Sequence, residues 1–126
     1  MTSATQTADV VCLVDDDASI RRSITRMLQL DGVDVRAFDE PQEFLAYLAT
    51  NLVRLAILDI WMEQMTGMEV LAHLCAQSPQ TRVIFITGRE DETAERTVKQ
   101  AGVFAFFMKP FDDNEFLRTV HRALDH

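Results

Sequence analysis

The stretch "VVCLVDDDAS" at residues 10–19 joins five apolar residues directly to three carboxylates. A short apolar run bounded by polar residues is typical of a strand that is buried on both faces of a parallel sheet. Carboxylates this close repel one another, and one of a close pair stays protonated unless a positive charge compensates. We therefore expect another part of the chain to bring a cation to the group formed by Asp15, Asp16 and Asp17.

Strand and helix patterns alternate along the chain outward from this run. Apolar or alternating runs predict strands at "VVCLV" (10–14), "VDVRAF" (33–38), "LAILD" (55–59), "RVIFIT" (82–87) and "VFAFFMK" (103–109). Apolar residues at helical spacing predict helices over residues 19–32, 41–49, 66–77, 91–102 and 112–126. The alternation predicts an α/β fold, a doubly wound, flavodoxin-like (βα)5 domain whose five-stranded parallel sheet has helices on both faces.

Size and charge restrict the possible functions. The length of 126 residues predicts one domain, and a hydrophobic fraction of 48% is enough for a core. The formal net charge of −8 argues against binding of nucleic acid or an anionic membrane through a basic face of this domain. We expect residues 1–8 to be a disordered N-terminal tail and residues 9–126 to be the domain.

The sequence carries no pattern that predicts export. Its first residues have neither the charged region nor the apolar region of a secretory signal, and no apolar run is long enough to span a bilayer. Cys12 and Cys75 lie in apolar segments and lack metal-binding spacing, so we expect both to be buried free thiols. These features predict a cytoplasmic protein.

The predicted strands end in chemically active residues. The first strand ends at Asp15 and Asp16, the third at Asp59, the fourth at Thr87 and the fifth at Lys109. In open α/β sheets, ligands bind at the carboxyl ends of the strands. If the strand order is 2-1-3-4-5, Asp59 lies beside the two acids, and the long side chain of Lys109 can reach across roughly 10 Å from two strands away.

The residue types at this edge predict metal-assisted phosphoryl transfer. Clustered carboxylates bind a hard cation such as Mg²⁺. A carboxylate can also serve as a covalent nucleophile for phosphate. An ammonium group, a hydroxyl and loop N–H groups can neutralise the oxygens of a phosphoryl group during its transfer.

Four stretches in order carry a resemblance to a known family. They are "LVDDDASIRR", "AILDIWMEQMTGMEVL", "VIFITG" and "FMKPF", the last followed by a final helix. Over residues 9–126 the sequence resembles the receiver domain of two-component response regulators. The segment "VIFITGREDETAERTVKQAG" further resembles transcription regulators of the FixJ or NarL kind, which carry a helix-turn-helix output domain.

The resemblance implies roles for the residues at the strand ends. Asp59 resembles the aspartate that accepts a phosphoryl group from a sensor histidine kinase. Asp16 resembles the direct Mg²⁺ ligand, Asp15 the acid that holds metal-bound water, and Trp61 the residue whose backbone carbonyl completes the metal site. Lys109 resembles the lysine that pairs with the phosphoryl group. Such a domain is a phosphoprotein that phosphorylates itself with Mg²⁺ and slowly dephosphorylates itself, without being an enzyme otherwise.

The resemblance also implies a switch. Thr87 resembles the switch hydroxyl and Phe106 the aromatic residue that changes rotamer with it, while the backbone of Trp61 and Gly88 would contact the phosphoryl group. The switch would alter a face made by the fourth helix, the fifth strand and the fifth helix, which is also a possible homodimer surface. Glu63 departs from the family, which usually has proline there, and Gly88 stands where alanine is frequent.

Two alternatives compete with this interpretation. The pattern "DDDAS" also resembles haloacid-dehalogenase phosphatases, with Asp15 as nucleophile and Asp17 as acid/base, although that reading leaves Asp59 without a role. The second alternative is a binding module of receiver shape that does not respond to phosphate. Such modules usually lack one of the site residues, whereas this sequence has all of them.

Overall fold

Five strands and five helices alternate in the computed structural model, which describes residues 10–125. The strands are β1 (Val11–Val14), β2 (Val35–Phe38), β3 (Leu55–Asp59), β4 (Arg82–Thr87) and β5 (Ala105–Met108). The helices are α1 (Ala18–Leu30), α2 (Pro41–Thr50), α3 (Gly67–Gln77), α4 (Glu92–Gln100) and α5 (Asp113–Leu124). The predicted elements are confirmed with ends shifted by a few residues. The predicted tail over residues 1–8, together with residues 9 and 126, lies outside the described residues.

The strands form one parallel sheet in the order β2-β1-β3-β4-β5, which confirms the predicted topology. The order reverses direction at β1 and β3, which are hydrogen-bonded neighbours although β2 lies between them in sequence. Asp59 ends β3 opposite Ile86 of β4, so the loops after β1, β3 and β4 leave the same edge of the sheet side by side. That edge is where the sequence predicts the site.

The sheet separates two apolar layers, which explains why its strands read as apolar runs. Every residue of β1 and β3 is buried. Alternate side chains of these strands enter the two layers. One layer contains Cys12, Val14, Ala56, Leu58, Phe44, Leu48, Val70, Leu74 and Val98, so it packs against α2, α3 and α4. The other contains Leu13, Ile57, Ile24, Leu28, Phe116 and Val120, so it packs against α1 and α5.

Side-chain caps fix where the helices begin. Asp17 accepts hydrogen bonds from the first N–H groups of α1, and Asp91 and Asp112 do the same for α4 and α5. Thr66 and Glu69 cap α3 reciprocally. Each cap lies in a loop that leaves the carboxyl edge of the sheet, so the caps also fix the path of those loops. Within residues 10–125, no helix combines the length and the apolar character needed to cross a bilayer.

Two arginines hold the last carbonyl groups of α5 at the opposite edge of the sheet. Arg82 Nη1, from the first residue of β4, donates to the carbonyl oxygens of Ala123 at 2.9 Å and Asp125 at 3.2 Å. Arg54 Nη1 donates to the carbonyl oxygen of Leu124 at 2.9 Å. A positive charge at the C-terminus of a helix also interacts favourably with the helix dipole.

The prediction for the cysteines is half right. Cys12 is buried in β1, and its removal from water raises the pKa of its thiol to about 12. Cys75 is exposed, so the prediction that it is buried is wrong. Val70 and Leu74, four residues apart, form the buried face of α3. Cys75 is turned about 100° away from Leu74 around the helix and therefore faces solvent.

Candidate functional site

Three carboxylates meet at the carboxyl edge of the sheet. Asp15, Asp16 and Asp59 each place an oxygen within 4.8 Å of the other two. Asp15 is 0% exposed and Asp59 is 6% exposed, whereas Asp16 faces solvent. The cluster is therefore closed on the side of the sheet and open on the side of Asp16.

Hydrogen bonds and one ion pair hold the two acids after β1. The Asp15 Oδ1 atom accepts from the backbone N–H of Asp17 at 2.9 Å, and its Oδ2 lies 3.3 Å from Lys109 Nζ. The Oδ2 atom of Asp16 accepts from the backbone N–H of Glu63 at 3.0 Å, which ties the loop after β1 to the loop after β3. Lys109 thus brings the expected positive charge to the cluster, where it pairs with Asp15.

Asp59 is the carboxylate whose charge is least compensated. Burial away from water raises the pKa of Asp59 to about 7, and the neighbouring charge of Asp15 acts in the same direction. Lys109 and a backbone hydrogen bond from Trp61 lower this pKa, and Asp16 raises it further. At neutral pH Asp59 is therefore held partly protonated, and any cation that binds beside it favours the charged form.

The donor set fits a hard divalent cation. Three carboxylates share one lysine, so the cluster carries excess negative charge when all three are ionised. Oxygen ligands of this kind are those that Mg²⁺ prefers. Because one acid is exposed, an ion can enter from solvent and retain part of its water shell.

Thr87 ends β4 with its hydroxyl already engaged. The side chain is 1% exposed, and its Oγ1 accepts from the backbone N–H of Arg89 at 3.1 Å and donates to the carbonyl of Arg89 at 3.2 Å. The carbonyl of Thr87 accepts from the backbone N–H of Lys109 at 2.7 Å. A Cβ added at Gly88 would lie 3.7 Å from Lys109 Cδ, an ordinary contact, so alanine would fit there.

Sequence reasoning missed a contact between the loops after β3 and β4. The guanidinium carbon of Arg89 lies 4.4 Å from the centre of the Trp61 ring. Trp61 follows Asp59 by two residues, and Arg89 follows Thr87 by two residues. Because β3 and β4 are neighbours, these matching offsets were the signal in the sequence that could have predicted the contact.

The response regulator receiver domain family matches residues 11–121 of this chain. The chain belongs to this family. The transcriptional regulator NtrC of Salmonella typhimurium is 35% identical over 117 residues, which are 93% of this chain and 25% of NtrC. Nodulation protein W of Bradyrhizobium diazoefficiens is 30% identical over 119 residues, 94% of this chain and 52% of that protein.

Solved receiver domains share the fold. A CheY-like receiver domain from Methanospirillum hungatei superposes with a TM-score of 0.86 at 28% identity, covering 93% of this chain and 94% of that one. This receiver chain spans about a quarter of NtrC and about half of nodulation protein W. Membership of the family makes the chain a signalling domain of two-component systems rather than a conventional enzyme. The FixJ or NarL subgroup stays a prediction.

The phosphatase alternative does not agree with the receiver assignment or with the geometry. Asp15, its nucleophile, is 0% exposed, and its two oxygens are engaged by the N–H of Asp17 and by Lys109. Asp17, its acid/base, instead caps α1 by accepting from the N–H groups of Ser19 and Ile20.

Phe106 lies on β5, an edge strand of the sheet. It is half-buried opposite Phe85 in the register of β4 and β5 and packs against the layer that contains Val98 of α4. Its neighbour in strand order, β4, ends at Thr87. The two residues thus lie on adjacent strands, and the switch role of Phe106 stays a prediction.

Proposed function

We propose that this receiver accepts a phosphoryl group on Asp59 in a Mg²⁺-dependent reaction. The observation that carries the proposal is the clustering of Asp15, Asp16 and Asp59 within 4.8 Å, with Lys109 on the buried side. Asp59 is the carboxylate at the end of a central strand, next to the opening that Asp16 lines. An aspartate in this position can act as nucleophile once its charge is compensated.

Asp15, Asp16, Asp59 and the backbone carbonyl of Trp61 would hold the Mg²⁺ ion. Bound there, the ion would neutralise the charge of the cluster and of the phosphoryl oxygens. The raised pKa of Asp59 supports this assignment, because a carboxylate that burial and like charges hold back from ionising gains most from a cation beside it.

In the proposed transfer, a carboxylate oxygen of Asp59 attacks the phosphorus of a phosphohistidine on a sensor histidine kinase. The new O–P bond forms as the P–N bond breaks, and the histidine nitrogen leaves with the electron pair and takes up a proton. Lys109, the Thr87 hydroxyl and the backbone N–H groups of Trp61 and Gly88 would neutralise the oxygens of the moving group. Slow hydrolysis of the acyl phosphate would return the receiver to its resting state.

The proposed output is a change in the face formed by α4, β5 and α5. All four residues of the edge strand β5 are half-buried, so this strand presents side chains to a partner. Thr87 and Phe106 would bias the two states of the face. If the partner is a second copy of the chain, the phosphorylated form will sediment as a larger species than the resting form. Equal sedimentation of both forms at high concentration would indicate a different protein as partner.

Labelling tests the proposal directly. Incubation with phosphoramidate and Mg²⁺ is expected to add one phosphoryl group, detectable by mass spectrometry of the intact protein. Asp59→Asn is expected to abolish the addition. Asp17→Asn removes a neighbouring charge but keeps a side-chain acceptor for the cap of α1, so it is expected to label normally. Unchanged labelling of Asp59→Asn contradicts the proposal, and no labelling of the native protein favours the phosphate-independent binding module.

A further inference from the structure

Arg89 connects the two loops that carry Asp59 and Thr87. Its side chain leaves the loop after β4, and its guanidinium carbon lies 4.4 Å from the centre of the Trp61 ring in the loop after β3. Its backbone N–H and carbonyl both bond to the hydroxyl of Thr87. We call these three contacts of Arg89 the latch. The side chain of Arg89 thus contacts the loop after β3, while its backbone is held by the hydroxyl at the end of β4.

The hydroxyl of Thr87 cannot keep donating to the carbonyl of Arg89 and also donate to a new acceptor. A hydroxyl has one proton to donate. In the resting structure that proton goes to the carbonyl of Arg89 at 3.2 Å. Donation to a phosphoryl oxygen therefore breaks the bond to Arg89.

We infer that Arg89 is a positioning residue that couples the hydroxyl of Thr87 to the indole of Trp61. When Thr87 donates to a phosphoryl oxygen on Asp59, the carbonyl of Arg89 loses its donor, the loop shifts, and the guanidinium leaves the indole. The inference rests on the proposed function, because it needs a phosphoryl group at Asp59. No covalent step is involved, and the change is an exchange of one hydrogen bond for another.

The state of the Trp61 ring supports this direction of change. Its Nε1 atom is buried and has no hydrogen-bond partner among the residues that the structure describes. A buried donor without a partner is unfavourable, so an indole that the arginine uncovers gains a bond to water. The guanidinium lies over a half-buried ring, where such a contact is weak and can be released.

The fluorescence of Trp61 reports whether Arg89 contacts the indole, because Trp61 is the single tryptophan of the chain. The probe is beryllofluoride, a stable stand-in for the phosphoryl group, added at saturating Mg²⁺. In the native protein, beryllofluoride is expected to change the emission beyond the change that Mg²⁺ alone produces. Arg89→Ala and Thr87→Val are expected to give a much smaller change, whereas Arg96→Ala, which removes an exposed arginine of α4, is expected to behave as the native protein does.

A double-mutant cycle provides a second measurement that does not depend on fluorescence. Binding of beryllofluoride is followed by fluorine NMR in the native protein, Arg89→Gln, Trp61→Leu and the double variant. The cycle cancels the general effect of removing a charge near an anion. We expect the two changes to be non-additive, with a coupling of roughly two- to fivefold in affinity, the size of a partly exposed cation–π contact.

The outcomes separate the latch from the proposed function. If beryllofluoride binds but Arg89→Ala shows the native change in emission, the latch is wrong and the proposed function stands. Additive effects in the cycle also overturn the latch. If fluorine NMR finds no bound beryllofluoride in the native protein at saturating Mg²⁺, the proposed function itself fails, and the latch fails with it.

Discussion

Lys109 Nζ lies 3.3 Å from Asp15 Oδ2, although their strands, β5 and β1, are separated in the sheet by β3 and β4. The lysine is 18% exposed and the aspartate is fully buried, so this ion pair is the main compensation for the deepest acid of the site. Asp59, between them, is left with a pKa of about 7 because of its burial and the charge of Asp15. In the resting receiver the candidate acceptor is therefore held back from full ionisation at neutral pH.

Removing the lysine is expected to destabilise the metal-free protein. Lys109→Met leaves Asp15 buried without its positive partner, so the free energy of unfolding at pH 8 should fall by about 2 kcal/mol. Lys99→Met is the matched control, because Lys99 pairs with Glu95 on the exposed surface of α4 and such a pair contributes at most about 1 kcal/mol. Urea denaturation measures both. Equal losses in the two variants would show that the Lys109–Asp15 pair contributes no more to the free energy of unfolding than an exposed ion pair does.

The stability of the metal-free protein should depend on the ionisation of Asp59. Its pKa is about 7 in the folded state and about 4 in an unfolded chain, so the folded state holds a proton that the unfolded state releases. The contribution of this group to stability is therefore full below pH 4 and is lost as the pH rises through 7. Asp59→Asn removes the effect, and at pH 8 it should be more stable than the native protein by about 2 kcal/mol.

Thermal denaturation of native protein and Asp59→Asn in parallel, at pH values from 5 to 8 and with a chelator present, measures this difference. Carboxylates outside the cluster are common to both proteins, so the comparison isolates the cluster that contains Asp59. A difference that stays constant across the range would mean that Asp59 is ionised normally.

Mg²⁺ binding should depend on Asp16 and hardly at all on its neighbour Asp17. Asp16 belongs to the carboxylate cluster, whereas Asp17 is occupied in capping α1. Asp16→Asn should weaken binding at least tenfold, and Asp17→Asn, which removes a charge outside the cluster, should change it by no more than about twofold. Isothermal calorimetry and the emission of Trp61 report binding.

Since Mg²⁺ and a proton compete for Asp59, the affinity of the native protein for Mg²⁺ should fall about tenfold per pH unit below pH 7. The absence of both heat and emission change in the native protein would show that the carboxylate cluster does not bind Mg²⁺.

Two glycines near the site should tolerate alanine very differently. A Cβ on Gly67 would lie 2.5 Å from the carbonyl oxygen of Asp59 and 2.7 Å from Phe85 Cε1, closer than atoms can approach without movement of the backbone. Gly67→Ala should therefore lower the free energy of unfolding by roughly 1–3 kcal/mol and also displace Asp59. Gly88→Ala meets only Lys109 Cδ at 3.7 Å and should be neutral or slightly stabilising. Similar stability of the two variants would contradict the close approach of α3 to β3.

The sequence was sufficient to predict the strand order and the clustering of the acids. Asp15, Asp16, Asp59 and Lys109 follow buried runs, and the strand order 2-1-3-4-5 brings them to a common edge within reach of one lysine. Burial patterns also predicted the apolar faces of the helices, except that Cys75 was assigned by the composition of its segment instead of its position on α3. The period of the helix, applied residue by residue, would have corrected that error.

The partners of the polar side chains could not be predicted in the same way. The sheet brings Lys109 near several carboxylates, and which of them it pairs with depends on loop backbone that the sequence pattern does not specify. The bonds of the Thr87 hydroxyl to Arg89, and the contact of Arg89 with Trp61, likewise depend on the conformation of loops after the strands end. Local patterns set periodic elements, whereas these contacts are set by how two loops fit together.

The two arginines that bind the C-terminal end of α5, Arg54 and Arg82, determine how that helix can move. Arg54, just before β3, and Arg82, at the start of β4, bind its last carbonyl groups, while its first turn follows directly from the segment after Lys109. The C-terminal end of α5 is thus held at the opposite edge of the sheet, and the helix can pivot about that end. A small shift of the loop that carries Lys109 would swing the first turns of α5 while leaving its last turn in place. A partner protein that binds α5 near Asp113 would therefore show the largest difference in affinity between the two states.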